Sequence, residues 1–389
     1  MTIEEREHIL TQLEASGLLG RGGGWFPAHR KWCAVLAEDG VPVVVANGGE
    51  SEPGSIKDRF LIRTRPADVL AGLKVAMDVV GADQGYVYLK GSFAEEETLL
   101  HRALKDMGGD PRITIHRGDD TYVGGEETAV LESIEGRVAW PRPKPPRPSS
   151  VGLFGRPTLV QNIDTLARVP EAIRSGAAYA TQPSMAITIW GDVRNPGAYE
   201  IQGGRTLRSV VEQEGGGPTS DVALVFPNSA QAMPFTPDQL DIALDPGTFA
   251  GAGSPLGTAS ILVLNSAASH LSILDSVARF FEREACGQCP PCVLGTTNLR
   301  ELVTGAKPST HRLIPQAALK ETAWFMSIHG YCSHARQGAS AVTGLFARWQ
   351  DEVIERLRGS DEGGGAESRD PFAPNSRERQ ALEAFLTRL

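Results

Sequence analysis

Cysteine, positive charge and long apolar runs are all scarce in this sequence. Five cysteines among 389 residues and a charged N-terminus without an apolar signal core argue against a secreted disulfide scaffold. A net charge of −9 argues against a nucleic-acid partner, which favours a basic face. The longest apolar runs, at 41–46 and 261–264, are strand-sized and too short to span a membrane. These absences predict a cytoplasmic protein that is at most peripheral to a membrane complex.

Hydrophobic residues make up 41% of the chain, which is enough to bury real cores in spite of 43 glycines and 26 prolines. The length suggests roughly two to three domains. Up to about residue 180, predicted strands alternate with predicted helices, a pattern typical of a parallel sheet covered by helices. The helices are predicted at 2–16, after Pro66 and at 95–107, and the strands at 41–46, 86–89 and 113–116.

A different pattern begins at Ala186, where strand, turn and strand precede a short helix at 206–214. From Leu271 onward, apolar residues recur at helical spacing. Together with segments near 293–305 and 315–329, these stripes predict a four-helix bundle that carries most of the cysteines on its loops. A Ser/Gly/acidic linker follows at 359–369, and an amphipathic segment at 377–389 either docks on a partner or frays.

The cysteines form the most specific motif of the chain. Cys286, Cys289 and Cys292 lie within seven residues, and Cys332 comes from a separate segment. Three thiols on one tight turn and one distant thiol are the ligand set that a 4Fe–4S cubane needs. Tetrahedral zinc is the second interpretation, although it usually takes two Cys-x-x-Cys pairs or Cys and His pairs. Plain core cysteines are the third, and the remaining Cys33 is predicted to be a small buried side chain.

Four further motifs combine glycine with small polar or acidic side chains. A glycine-rich loop lets the backbone approach a phosphate or a flat ring. A polar loop after a buried strand lies where open α/β sheets bind ligands. Each motif also has an ordinary structural interpretation, as a flexible turn, a solvated loop or a helix N-cap. The four motifs are Gly20–Pro27, Asn47–Arg59, Tyr122–Thr128 and Val160–Thr165.

In their order along the chain, these motifs resemble the flavin-bearing F subunit of respiratory NADH dehydrogenase, the complex I 51 kDa family. The family's GRGGAGFP, NADESEPG, YxCGEET and VNNVET segments match the four motifs in turn, and its CGxCxPC motif with a later Cys is intact. The resemblance spans about residues 17–357. It implies a Rossmann-like α/β FMN domain, a ubiquitin-like β-grasp domain of the SLBB type, and a four-helix bundle that ligates a 4Fe–4S cluster. The expected division is 1–180, 181–266, 267–358 and a C-terminal linker and helix at 359–389.

Carried over motif by motif, the resemblance implies three sets of site residues. The cluster ligands would be Cys286, Cys289, Cys292 and Cys332. The nucleotide would meet Phe26, Glu52, Lys144 and Arg147, with Glu127 beside it. FMN would lie over Gly20, Arg21, Gly22, Gly23, Lys31, Asn47, Glu50, Tyr122, Gly125, Glu126, Glu127, Asn162 and Thr165, with Glu50 and Glu52 modulating potential and access.

This sequence departs from the family pattern mainly around the nucleotide. Trp25 replaces a glycine of the loop, Gly49 replaces an acid, and Gln161 replaces an asparagine. Two aromatic positions that hold the NADH adenine in the family are Ala34 and Arg147 here. We expect Trp25 to fill nucleotide space. Arg147 either stacks on adenine or pairs with a 2′-phosphate, which would favour NADPH.

The resemblance implies an oxidoreductase subunit that passes electrons between NAD(P)H, FMN, a 4Fe–4S cluster and a partner iron–sulfur protein. That partner would be a thioredoxin-like 2Fe–2S subunit or a ferredoxin. Two alternatives stay open from the altered nucleotide residues: a relay that exchanges electrons with another donor, such as a ferredoxin, and a structural cluster-binding subunit.

Overall fold

The computed structural model describes residues 1–305, 315–357 and 369–389. Its first sheet has four parallel strands, which confirms the alternating pattern of the sequence. Their order across the sheet is β3-β2-β1-β4. Asn47 at the end of β1 pairs with Tyr88 on one side and Asn162 on the other. The strands are β1 (Val43–Gly48), β2 (Gln84–Lys90), β3 (Ile113–Gly118) and β4 (Thr158–Asn162).

Helices cover this sheet and bury its Val- and Leu-rich strands. The first helix begins with the capping box that the sequence predicts between Thr2 and Glu5. The second and third helices are short, and the sequence pattern does not indicate them. The helices are α1 (Ile3–Ala15), α2 (Ala28–Leu36), α3 (Lys57–Thr64), α4 (Pro66–Val80), α5 (Ala94–Asp106), α6 (Glu127–Ile134), α7 (Ile163–Ser175) and α8 (Ala177–Thr181). The Pro/Arg-rich stretch at 140–150 contains neither helix nor strand.

The second sheet is mixed, with strand order β6-β5-β8-β7. Its two central strands run parallel, and each edge strand is antiparallel to its neighbour. Ile189, Val210 and Val263 are among the residues of its apolar core. The elements are β5 (Ser184–Gly191), β6 (Gly197–Gln202), α9 (Leu207–Gln213), β7 (Val222–Phe226), α10 (Pro246–Gly251) and β8 (Ser260–Asn265).

The C-terminal region is helical. Phe281, Met326 and Val342 come from three of its helices and share one buried cluster. The apolar stripe that runs to Leu357 is divided at Trp349, where one helix ends and the next begins. These helices are α11 (His270–Arg283), α12 (Pro290–Thr304), α13 (Pro315–His329), α14 (Ser333–Arg348), α15 (Gln350–Leu357) and α16 (Arg377–Leu386). Within the described ranges, no helix has the length and apolarity that a bilayer crossing requires.

The last described segment docks on the rest of the chain. Phe372 is fully buried and lies 6.3 Å, between ring centroids, from both Trp190 of β5 and Phe280 of α11. Arg369 donates to both carboxylate oxygens of Asp192, at 2.6 and 2.9 Å. The predicted linker lies outside the described residues apart from Arg369. Helix α16 also packs on its own chain, since Phe385 lies 6.2 Å from Tyr199 of β6 between ring centroids, and Arg59 donates to Glu383 at 2.7 Å.

Candidate functional site

The carboxyl ends of β1 and β4 bring three of the four polar motifs together. Asn47 and Asn162 end adjacent strands, so their side chains lie at one edge of the sheet. The glycine-rich loop follows that edge, because the backbone N–H of Arg21 donates to Thr165 Oγ1 at 2.8 Å. Gly22 faces Asn162 so closely that an added Cβ would lie 3.3 Å from the Asn162 Cβ. The loop thus presents backbone at the sheet edge.

The fourth motif joins the same edge through two glycines. A Cβ on Gly125 would overlap the carbonyl oxygen of Gly49, well inside the 3.0 Å that real Cβ atoms keep. Asn47 reinforces the contact by donating from Nδ2 to the Gly125 carbonyl oxygen at 3.0 Å and accepting from the Gly49 N–H at 3.0 Å. A side chain at position 49 would also meet the ring of Tyr88. Position 49, where the family has an acid, is therefore a point at which two loops approach each other closely.

Two lysines and two acids form a charged cluster at the start of α6. Glu126 caps this helix, accepting from the backbone N–H groups of Thr128 and Ala129, as its ordinary structural interpretation predicts. Lys144 donates to Glu126 at 2.6 Å and to Glu127 at 2.8 Å, and Lys31 donates to Glu127 at 3.2 Å. Burial alone would raise the pKa of Glu127, but the two lysine charges outweigh it and hold the pKa at about 2.

Glu50 is used locally, at the start of α3. Its carboxylate accepts from the backbone N–H groups of Asp58 and Arg59 at 3.1 and 3.2 Å, and from Ser55 Oγ at 2.6 Å. These bonds satisfy donors that a helix start leaves open. Glu50 thus fixes where the polar loop turns into helix.

A buried ion network beneath the sheet edge is not evident from the sequence. Lys57 is 2% exposed; its Nζ lies 2.5 Å from Asp58 and 3.8 Å from Asp164, and Arg168 bonds Asp164 at 3.0 Å. Burial raises the pKa of Asp58 to about 7, against the opposing charge of Lys57. The sequence signal for this network is the run of charged residues from Lys57 to Arg59 at the end of the polar motif. Asn162 joins it, since Lys57 donates to Asn162 Oδ1 at 3.3 Å.

Trp25 and the Arg21 side chain point away from the sheet edge. The buried Arg21 guanidinium lies 4.5 Å from the centroid of the Trp25 ring and donates to the Ser184 carbonyl oxygen at 3.2 Å. Trp25 has φ 49 and packs against the apolar core of the second sheet. The glycine-to-tryptophan departure thus adds a contact between the loop and the second sheet. That the indole also fills nucleotide space stays a prediction.

Two of the residues expected at the nucleotide are open to solvent. Phe26 is 51% exposed, with the Arg30 guanidinium 5.7 Å from its ring centroid. Arg147 is exposed, and its guanidinium makes no hydrogen bond or ion pair with the described part of the chain. Glu52, by contrast, is only 8% exposed and accepts from Tyr122. Tyr122 in turn lies 5.1 Å from Phe280 between ring centroids, so this pair faces the C-terminal helices.

The four motif cysteines lie at helix starts and on one short loop of the C-terminal region. Cys289 and Cys332 immediately precede α12 and α14, Cys292 lies in the first turn of α12, and Cys286 follows α11. Cys289 and Cys292 are buried, whereas Cys286 and Cys332 are partly exposed. The prediction that Cys33 is buried is wrong, because this residue is exposed on α2.

The thiols interact with one another by charge. Burial raises the pKa of Cys292, and the charges of Cys289, Cys332 and Cys286 raise it further. Burial likewise raises the pKa of Cys332 to about 11, with smaller increases from Glu126, Cys286 and Cys289. Among the described residues, no group of three or more His, Cys, Asp or Glu side chains meets the geometry of a site for one metal ion. The raised pKa values keep Cys286, Cys292 and Cys332 protonated, and a polynuclear cationic centre would replace the thiol protons.

The sheet edge also suits the phosphate group of FMN. Gly24 has open space where a Cβ would stand, and Gln161 Oε1 is buried without a hydrogen-bond partner. Asn162 N-caps α7, so the positive end of that helix faces the edge where the glycine-rich loop lies. The backbone of the glycine-rich loop, the unpartnered Gln161 Oε1 and the positive end of α7 are together available to an anionic, hydrogen-bonding cofactor.

Comparison with known proteins matches two parts of the chain to family models. Residues 13–171 match the Nuo51 FMN-binding domain, and residues 272–356 match the NADH-ubiquinone oxidoreductase-F iron–sulfur binding region. The second F subunit of the NADH-quinone oxidoreductase of Rhizobium meliloti is 34% identical over 74% of this chain and 73% of the relative. The corresponding F subunit of Rickettsia typhi is 32% identical over 91% of this chain and 90% of the relative.

Among solved structures, a chain of the NAD+-reducing NiFe hydrogenase in the H2-reduced state superposes with a TM-score of 0.81 and 28% identity. The alignment covers 91% of this chain, which spans 63% of the hydrogenase chain.

Proposed function

The chain belongs to the family of NADH-quinone oxidoreductase F subunits, and on that premise we propose that it is a flavin and iron–sulfur electron-transfer subunit of an NAD(P)H-linked oxidoreductase. One observation carries this proposal. The loops at the sheet edge reach the cysteine-bearing helices through Tyr122, which lies 5.1 Å from Phe280 of α11 and 5.4 Å from His334 of α14, between ring centroids. The residues proposed for the flavin and those proposed for the cluster thereby lie on neighbouring elements, which supports electron transfer between the two cofactors.

When bound, FMN accepts a hydride from a nicotinamide and releases electrons singly, which is chemistry the protein does not itself supply. The protein binds and orients. Gly24 leaves room for close approach, Asn47 and Asn162 fix the loops at the edge through their own hydrogen bonds, and Lys31 is held by Glu127. Arg21 would meet the cofactor through its backbone only, because its guanidinium donates to the Ser184 carbonyl oxygen. Cys286, Cys289, Cys292 and Cys332 would ligate the 4Fe–4S cluster.

We propose the finer architecture that the family resemblance implies. The second sheet with its helix α9 is assigned as an SLBB-type β-grasp domain, supported by its mixed strand order and by Leu207 and Val210 of α9, which share the apolar core of the sheet. Helices α11–α14 are assigned as the four-helix bundle, supported by their shared buried cluster. The corresponding domain bounds are 1–180, 181–266 and 267–358, followed by the segment at 359–389. The location proposed is the cytoplasm, within a multi-subunit complex.

Anaerobic titration with NADH and NADPH tests the nucleotide step. We expect the purified protein to contain one FMN and iron, and its flavin absorption to bleach with NAD(P)H. If Arg147 pairs with a 2′-phosphate, Arg147→Phe should weaken binding of NADPH relative to NADH by about 10–100-fold, the effect of one charge-assisted hydrogen bond of about 1.5–3 kcal/mol. Dissociation constants from the bleaching titration measure this ratio.

The same titration separates the alternatives. An unchanged nucleotide ratio in Arg147→Phe would contradict the 2′-phosphate role while leaving the flavin step intact. Bound FMN that neither nucleotide bleaches would support exchange with a ferredoxin-type donor. Iron without flavin would point to a structural or purely cluster-relaying subunit.

We further propose that the iron–sulfur partner docks over the cluster at an exposed apolar surface. Three of its residues lie on α13, and the others neighbour cluster cysteines in the sequence, so a partner bound here would place its own centre near the cluster. The exposed fractions range from 43% to 63%. This surface comprises Leu294, Trp324, Phe325, Ile328 and Tyr331.

Ile328→Ser is expected to slow electron transfer to a 2Fe–2S ferredoxin several-fold while leaving flavin bleaching by NAD(P)H unchanged, because the hydride step does not involve this surface. Stopped-flow reduction of the ferredoxin measures both phases. Ile3→Ser is the matched control: Ile3 is 73% exposed on α1 and Ile328 is 61% exposed. Equal effects of the two substitutions would rule out docking at this surface.

A further inference from the structure

A continuous hydrogen-bonded chain joins the flavin loop to the helix that follows Cys332. Tyr122 OH donates to Glu52 Oε2 at 3.3 Å, and Gln231 Nε2 also donates to that oxygen. Gln337 Nε2, on α14, donates to Gln231 Oε1 at 2.5 Å. The hydrogen bonds therefore link four separate segments of the chain, and two of them contact the buried Glu52 carboxyl group directly, through Tyr122 and Gln231.

Glu52 differs from the other acids of the site in having no cationic partner among the described residues. Glu127, only partly exposed, is neutralised by two lysines. Glu52 is 8% exposed, and its Oε1 is buried without a hydrogen-bond partner, as is the Oγ of Ser229. A carboxylate in such a place bears the full cost of burial. Burial accordingly raises the pKa of Glu52 to about 8, against the opposing effect of the hydrogen bond from Tyr122.

The groups that face Glu52 from each packed element are mostly neutral. Tyr122 has its own pKa raised by burial first, and then by the negative charges of Glu52, Cys332 and Glu284. The pKa of Tyr122 therefore depends on charge at Glu52 and on charge at the cluster cysteine Cys332. Glu50 and Lys57 of the same loop are committed to the start of α3 and to the ion network. Gln231 and Ser229 are the other groups beside Glu52. Further out, Phe280 and His334 pack on the Tyr122 ring, and Gln337 bonds Gln231.

We propose that Glu52 is a redox-linked proton site that binds one proton when the cluster gains one electron. The proposal rests on the function proposed above. The electron arrives from the flavin, the proton comes from solvent onto the Glu52 carboxylate, and reoxidation releases both. An added negative charge at the cluster raises the proton affinity of a nearby buried carboxylate. By linkage, the proton raises the electron affinity of the cluster by the same factor. Gln231, Gln337 and Tyr122 act as positioning residues that hold the carboxyl group toward the cluster helix.

An EPR-monitored redox titration of the holoprotein across a pH series tests this. Below about pH 8 Glu52 stays neutral, and the cluster potential should not respond to it. Above that pH the carboxylate forms, and the potential of the wild-type protein should fall with rising pH. The fall is at most about 59 mV per pH unit, the one-electron equivalent of a tenfold change in proton concentration. Glu52→Gln should lose this fall, because its amide is neutral throughout.

A second variant provides an independent test. Tyr122→Phe removes a hydrogen bond that favours the charged form, so the fall should begin at a higher pH than in the wild-type protein. Redox difference infrared spectra above pH 8 should show a protonated-carboxyl band that grows on reduction in the wild-type protein and is missing from Glu52→Gln. An identical pH dependence of the potential in wild type and Glu52→Gln would overturn the proposal. A protein with no cluster signal at any pH would instead refute the proposed function, and this proposal with it.

Discussion

Substituting serine for Cys292 abolishes the cluster: we expect no cluster EPR signal and no bound iron in Cys292→Ser protein purified anaerobically. Cys292 is buried in the first turn of α12, so no other side chain can easily take its place. Electron transfer to the partner should fall by more than about 100-fold, since even outer-shell changes around metal sites cost about 10–100-fold. Bleaching of FMN by NAD(P)H should persist, because the hydride step needs only the flavin site.

Cys33→Ser is the matched control for this prediction. Cys33 is exposed on α2 and belongs to the first sheet's layer of helices, so its replacement should leave iron content and both electron-transfer phases unchanged. Full iron content in Cys292→Ser would contradict the ligand assignment. Zinc in place of iron in the anaerobic wild-type protein would overturn the cubane and favour the tetrahedral alternative.

Gly72→Ala should destabilise the first domain by about 1–3 kcal/mol or more. Helices α4 and α7 cross at Gly72, where an added Cβ would overlap the carbonyl oxygen of Leu166, well inside 3.0 Å. That obstacle is backbone, so no rotamer change can relieve it and the two helices must separate. α7 begins directly after Asn162, so the sheet edge should loosen too and bind FMN less tightly. Urea unfolding followed by circular dichroism, with flavin retention on gel filtration, measures both effects.

Gly251→Ala serves as the comparison. Gly251 ends α10 with nothing within 4 Å of the position its Cβ would take, and its φ is not positive. Alanine there should change stability by no more than about 1 kcal/mol, with a stabilising sign expected from helix propensity. If Gly72→Ala were as mild as this control, the α4–α7 contact would have to be far more compliant than its geometry indicates.

Much of the secondary structure follows from signals that are local in the sequence. The capping box of Thr2 and Glu5, the proline at the start of α4 and the apolar spacing of α11 each specify an element from within a few residues. Short elements escape such signals. Helix α3 begins inside a predicted polar loop, because its start is capped by the side chain of Glu50, seven residues before Lys57.

The candidate site shows the same division. The polar loop after β1 follows from the rule that open α/β sheets bind ligands at the carboxyl ends of their strands, whereas β4 is not among the predicted strands. The role of each acid does not follow from such a rule, since Glu50, Glu52 and Glu127 are all carboxylates in polar or glycine-rich motifs. One caps a helix, one is buried without a cation and one is neutralised by two lysines. The role of each carboxylate is set by the residues that surround it in the fold, most of which are distant in the sequence.

The parallel sheet could be predicted from strand–helix alternation, and the cofactor classes from the resemblance of the motifs to the F-subunit family, because alternation and motifs are both properties of residues close together in the sequence. The packing of Trp25, the docking of α16 on its own chain and the contact of Glu52 with Gln231 and, through it, Gln337 became evident only in the assembled fold. Those contacts join segments more than a hundred residues apart. Their energies depend on burial and on the charges nearby, which no local pattern contains.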